Sequence, residues 1–156
     1  MRHVVAATLL LGLLVACGDD ATQPAAAPSP TARLANVLID TGDDSVLIRA
    51  EVADTPELRS RGLSNRDSLA DDGGMVFLFF EETTGGFWMK DTTIPLSIAF
   101  FDSSGEIIAM FDMDPCEADP CKTYDPGVPY RGALEVNQGA FEEWGVEVGH
   151  HIRVSP

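Results

Sequence analysis

Three sets of side chains in this 156-residue chain are of types that could do chemistry. The first is Lys90, which follows Phe87-Trp88-Met89. A cation beside large apolar side chains suits the rim of an aromatic-lined pocket that holds an anionic or carbonyl group. The competing reading is a surface lysine paired with Asp91 or Glu135. An extended segment would send Trp88 and Met89 to opposite sides, so at most one of them serves a given pocket and core packing competes for both. The expected ligand-binding face is Trp88, Lys90, Tyr124, Tyr130 and Arg131.

The second set is Arg59 and Arg61. Two residues apart on a short helix they do not share a face. Arg61 beside Gly62 suits a structural pairing with a carboxylate such as Glu135. The third set is metal-like. Asp112, Asp114, Glu117, Asp119 and Asp125 make an oxygen-rich stretch, but Cys116 and Glu117 break the spacing of a calcium loop. Met75, Met89, Met110 and Met113 with His150 and His151 resemble a soft-metal set, yet methionine more often fills cores. No metal site and no cofactor are expected. Hydrolytic templates are missing: there is no Gly-x-Ser-x-Gly elbow and no His-Glu-x-x-His. His150 and His151, neighbours on a strand, face opposite sides. The residues point to a non-enzymatic binding or accessory module. The alternatives are an enzyme with an unrecognised carboxylate and lysine site, or an extracytoplasmic metal-handling protein.

The N-terminus supplies an address. After Met1-Arg2-His3 comes the apolar run Val4 to Ala16, 13 residues long. One positive charge before a short apolar stretch is the layout of a secretory signal. As a helix the run is about 20 Å long, against roughly 30 Å of hydrocarbon. Leu14-Val15-Ala16-Cys17 resembles the bacterial lipobox, whose cysteine is lipidated and becomes the first residue after cleavage. Residues 1–16 are thus expected to be the signal peptide. Residues 17–33 are expected to be a lipidated cysteine and a Pro/Ala-rich tether, and 34–156 a single domain. The tether lacks large apolar side chains, so nothing offsets the entropy of ordering it. Extended, it reaches on the order of 45 Å. The expected location is extracytoplasmic, held to the cell membrane or outer membrane by the lipid on Cys17, with a small ligand or an envelope protein as partner.

The chain has 10 basic and 25 acidic residues. Only Arg2 lies in the leader, so the mature form carries nine against 25, a net charge of −16. That sign opposes nucleic acid and anionic headgroups, and no nucleic-acid partner is expected. With Cys17 lipidated, Cys116 and Cys121 remain. Outside the cytoplasm such a pair favours a disulfide over a metal site. So short a loop contributes only about 2 kcal/mol, and mainly local rigidity.

The elements that must position these residues are mostly strands. Val37–Asp40 and Val46–Val52 flank a Gly/Asp cluster and read as a hairpin. Thr55-Pro56 opens, and Gly62 closes, a two-turn helix. Met75–Phe80 shows no alternation and reads as a strand buried on both faces. Ile94–Phe101 and Glu106–Phe111 form a second hairpin whose pairing starts after Pro95. Ala133–Val136 is a strand, residues 137–144 a short helix, and Val148–Val154 the closing strand. The expected class is mainly β (α+β): a small β-barrel or β-roll of antiparallel hairpins with two short helices.

Several strings resemble a bacterial and archaeal family, domain of unknown function 192. They are Ala53-Asp54-Thr55-Pro56-Glu57 with Arg61-Gly62-Leu63, then Gly74-Met75-Val76-Phe77, then Phe87-Trp88-Met89-Lys90-Asp91-Thr92 with Ile94-Pro95-Leu96. Ala133-Leu134-Glu135-Val136 and Gly145-Val146-Glu147-Val148-Gly149 complete the likeness, which covers roughly residues 37–154. The resemblance implies a compact β-rich fold and no particular activity. Four positions depart from the family pattern: Ser64 stands in place of Met, Asp91 of Asn, Ser97 of Asp and His150 of Asp.

Overall fold

The computed structural model describes residues 32–156. The leader, Cys17 and all but the last two residues of the expected tether lie outside the described residues. The domain opens with β1 (Leu34–Asp40) and β2 (Ser45–Ala53), an antiparallel hairpin with Val37 opposite Ile48. Its turn closes through the Thr41 N–H donating to the Asp44 carbonyl at 3.0 Å. Helix α1 (Pro56–Arg61) follows. The Thr55 hydroxyl accepts from the Leu58 N–H at 3.2 Å, a cap that contributes about 1 kcal/mol. Gly62 ends the helix with φ 51°.

The chain then returns as β3 (Gly73–Thr83), which lies parallel to β2, Val52 opposite Val76. This pair corrects the expectation of antiparallel hairpins alone. A parallel neighbour needs a crossover, and α1 with the residues after it supplies one. A two-residue strand, β4 (Phe87–Trp88), precedes the hairpin of β5 (Leu96–Phe101) and β6 (Ile107–Met113). Next come β7 (Thr123–Tyr124), β8 (Tyr130–Asn137), α2 (Ala140–Glu143) and β9 (His151–Ser155).

Seven strands make one sheet in the order β6-β5-β8-β3-β2-β1-β9, and β4 pairs with β7 apart from it. The large sheet curls into a half-barrel. Its two ends meet where the Ile107 N–H donates to the His150 carbonyl and the Ile152 N–H to the Gly105 carbonyl, at 2.8 and 2.7 Å. The fold is thus mainly β with two short helices, as the pattern of hairpins and turns implied. Helix α2 is shorter than the expected 137–144. Asn137 is still paired with Leu96 in the sheet, and Gly139 turns the chain with φ 80° before the helix starts.

The central strands bury both faces. Val76, Phe101, Leu134 and Val136 pack on one side with β1, β2 and Phe141 of α2. Met75, Phe77, Ile98, Phe100 and Ala133 pack on the other. That second side is covered by Leu58 of α1, by Leu63, and by Met89 and Tyr124 from the β4 and β7 segments. Beyond Leu78, β3 leaves this pattern. Leu78 is opposite Gly132 but Thr83 is opposite Tyr130, so extra residues are accommodated on β3. Phe80 is consequently 91% exposed, and the expected two-sided burial holds only for the first half of the run.

Close packing against the neighbouring strands β5 and β3 makes Gly132 sensitive. A Cβ there would lie 2.3 Å from the Phe101 ring and 2.8 Å from the Phe77 carbonyl oxygen. Gly132→Ala is expected to destabilise the domain by about 3 kcal/mol, read as a lowered urea midpoint. An unchanged midpoint would contradict this packing.

Candidate functional site

The second face is not fully covered. Between α1 with its exit turn on one side and β4 on the other, a cleft of about 360 Å³ opens over β3 and β8. Phe77 and Glu135 lie at its base, where Met75, Glu135 and Ile98 form a row across three strands. Phe79, Phe87, Trp88 and Tyr130 form walls, and Arg59 and Arg61 line it from α1. The aromatic walls are mutually fixed. Phe87 meets Phe77 edge-on at 4.8 Å, and Tyr130 meets Phe79 and Phe100 edge-on at 5.6 and 4.9 Å. Such edge-to-face pairs contribute about 1 kcal/mol each beyond burial.

Local sequence explains how the walls are held. Gly86 lets β4 lie directly on β7: a Cβ there would be 2.5 Å from the Tyr124 carbonyl oxygen. On the other side, the exit turn of α1 clasps the residues after β4. The Ser64 hydroxyl donates to the Lys90 carbonyl at 3.2 Å, the Asn65 N–H to the Asp91 carbonyl at 2.7 Å, and the Thr93 hydroxyl to the Arg66 carbonyl at 3.1 Å. Asn65 and Asp91 both adopt left-handed φ, 59° and 57°, a conformation that short polar side chains tolerate best after glycine. Arg66 in turn holds both carboxylate oxygens of Glu51 at 2.6 and 2.7 Å.

The electrostatics of the cleft differ from the rest of the molecule. Glu135 is 5% exposed, in the middle of an apolar face. Burial pushes its carboxyl up to about 8, so at neutral pH it is mostly an uncharged acid. Burial, then the charge of Asp125, pushes the Tyr130 hydroxyl up to about 12. Arg59 is pre-positioned: one guanidinium N–H donates to the Leu78 carbonyl at 2.9 Å, and the guanidinium lies 4.8 Å from the centre of the Phe79 ring.

Of the residues singled out from sequence, Trp88, Tyr130, Arg61 and Glu135 line this cleft. Trp88 is 60% exposed and Tyr130 only 3%. Lys90 does not line it. It borders a small recess beside the disulfide loop, its ammonium 5.9 Å from the centre of the Trp88 ring. Tyr124 is buried, accepts a hydrogen bond from the Asp114 N–H at 3.2 Å, and borders a different hollow. Arg131 is half-buried and outside the cleft. The five residues expected to form one face are therefore divided among separate surroundings. Arg59 and Arg61 both line the cleft although two apart, because α1 has only six residues and Arg61 already stands at its exit.

Cys116 and Cys121 form a disulfide with Cα atoms 5.5 Å apart. Met75, Met89 and Met113 are buried core residues. His150 accepts the Glu147 N–H through Nδ1 at 3.0 Å. A second hollow of about 360 Å³ contains Ser97, whose hydroxyl donates to Asp112, with Glu142 and Glu147 nearby and no cationic side chain in its lining.

Sequence reasoning overlooked Phe79, Phe87 and Arg59 as cleft residues. Their common signal was proximity to Arg61 and Trp88, but the contacts that join them are long-range.

The family described as "Uncharacterized ACR", domain of unknown function 192, matches residues 37–154. Two solved structures share the fold. One, from Sinorhizobium meliloti 1021, is described as a candidate transcription regulator. It is 29% identical, with a TM-score of 0.73, and the match covers 80% of this chain and 96% of that one. The other, from Novosphingobium aromaticivorans DSM 12444, is a protein of unknown function. It is 27% identical, with a TM-score of 0.71 and coverage of 85% and 94%. No curated protein matches the chain.

The Glu135 proton makes stability depend on pH. The carboxyl titrates at 4.5 ordinarily and at about 8 in the fold, so the folded state binds the proton more tightly. Its contribution is full below 4.5 and is lost as pH rises to about 8. Glu135→Gln keeps the shape and removes the titration. The variant is expected to match the parent at pH 4 and to exceed it at pH 8.5 by on the order of 4 kcal/mol. Chemical denaturation across that range checks it; parallel pH profiles would refute it.

Proposed function

This chain belongs to the domain of unknown function 192 family, and from that premise we propose that its domain is a binding module for a small ligand, displayed outside the cytoplasm from a lipid on Cys17. The observation that carries the reading is the cleft itself: an aromatic-walled concavity of about 360 Å³ with two arginines and one carboxyl directed to it. Apolar walls with a few convergent polar groups and a strongly shifted titration are the usual marks of a ligand site. An enzyme built on a lysine and paired carboxylates fits less well. The lining holds a single carboxyl, Glu135, and Lys90 belongs to another recess.

The Sinorhizobium structure is described as a candidate transcription regulator, which raises the question of a nucleic-acid role. For this chain such a role meets a net charge of −15, which repels a polyanion. The tether reading rests on the leader and on Cys17. Among the described residues no helix is long and apolar enough to cross a membrane.

Thermal-shift screening of the full chain with glycans, peptides and small anions is the direct test. At least one class is expected to raise the melting temperature, and flat responses to all three would remove the reading. Trp88→Ala is expected to abolish the shift. Because Trp88 is 60% exposed, the substitution should change stability by less than about 0.5 kcal/mol. Separately, Cys17→Ser is expected to move the protein from the membrane fraction to the soluble one. Unchanged membrane association would remove the lipid anchor.

A further inference from the structure

Resting on the reading of this cleft as the binding site, we propose that its ligand is a small carboxylic acid built on a six-membered ring. The charge of the cleft is the first argument. The chain carries a formal net charge of −15, yet the cleft lining contributes two arginines and a single acid, Glu135. An acidic protein that gathers cations around one concavity favours an anion there, and low-dielectric walls strengthen the local field.

The donors favour a carboxylate. Arg59 spends one N–H on the Leu78 carbonyl and rests against Phe79. A guanidinium has five N–H groups in a planar fork, so the remainder of a side chain already fixed in place can meet a carboxylate bidentately. Hydroxyls of Ser60, Ser64, Thr83 and Thr84 also line the cleft. Glu135, holding its proton at neutral pH, can donate an O–H to a carboxylate oxygen; once ionised it repels the same group.

The walls favour a ring. Trp88 is well exposed while Phe79 and Phe87 are braced by neighbouring rings, so a flat or puckered six-membered ring can lie against them at little entropic cost. The space, about 360 Å³, is at the small end of ligand sites and suits one ring with its substituents. Aromatic acids and acidic sugars share this chemistry.

The charged and titratable groups that line the cleft with Glu135 are Arg59 and Arg61 of α1 and Tyr130, on the same strand β8; the lining residues of β3 and β4 are uncharged. Arginine stays charged, and Tyr130 titrates only at about 12. Between pH 6.5 and 9.5 the cleft's response is therefore that of Glu135.

The experiment uses the full chain carrying Trp144→Phe, so that Trp88 is the sole tryptophan, and follows its fluorescence. The probes are benzoate and glucuronate, their uncharged counterparts benzamide and glucose, and acetate as an acid without a ring. One or both ring acids are expected to bind at least tenfold more tightly than the counterpart and than acetate; which of them binds separates an aromatic acid from an acidic sugar. Affinity is expected to fall on the order of 30-fold from pH 7 to pH 9.5, following ionisation at about 8. In Glu135→Gln that fall should vanish, and Arg59→Gln or Arg61→Gln should weaken binding at least tenfold. Equal affinity for the acids and their neutral counterparts, or affinity indifferent to pH, overturns the ligand class while leaving the cleft a binding site. No response to any of the five probes also overturns the class, and the binding reading then stands or falls on the wider screen.

Discussion

The fold depends on a sheet whose central strands are apolar on both faces. β5 and β8 are buried along almost their whole length, as is the first half of β3. A sheet of this kind cannot leave either face in water, because each large apolar side chain left exposed forfeits roughly 2 kcal/mol. Curling the sheet satisfies one face, since β1, β2 and β9 wrap round until β9 meets the start of β6, with α2 closing the side. Among the described residues the other face has only the two-stranded β4 and β7 sheet and short segments to pack on. It is covered by pieces: one short helix, its exit turn, and the β4 and β7 pair. A cover made of pieces has a seam, and the cleft is that seam.

This origin explains why the cleft has firm walls. Each piece is bound to its neighbour through backbone groups rather than by side chains alone, through Ser64, Asn65 and Thr93 on one side and the close approach at Gly86 on the other. The aromatic side chains between them are core residues that happen to reach the seam. Tyr130 and Phe87 belong to the same ring cluster as Phe77 and Phe100. A site assembled from the edge of a core inherits the core's rigidity, which lowers the conformational cost of taking a ligand.

Much of the fold was legible in the sequence, because its signals are local. The hairpin turns, the cap at Thr55, the exit at Gly62 and the proline before β5 each act within a few residues. The parallel pairing of β2 and β3 was not legible, because a crossover and a hairpin arm look alike until the partner is known. The candidate site was half legible. Trp88, Arg61 and Glu135 stood out by type. Tyr124 and Tyr130 were placed on the expected face, whereas both are buried in the core. Phe79 reaches the cleft while Phe80 is turned outward because β3 and β8 shift register after Leu78, and a register shift leaves no mark in composition or period. Arg59 joined Arg61 because six residues are too few for helical period to separate the reach of two long side chains.

Glu135 links the architecture to the chemistry. A carboxyl on the central strand of an apolar face is costly in its charged form, and the fold meets that cost by keeping the proton, with the titration displaced to about 8. The same burial that would penalise a charge makes the group an acid donor at the base of a cleft lined by arginines. Around it the chain is strongly negative, with a formal net charge of −15. Against that background the cleft gathers two arginines around a single buried acid, which burial keeps mostly protonated at neutral pH.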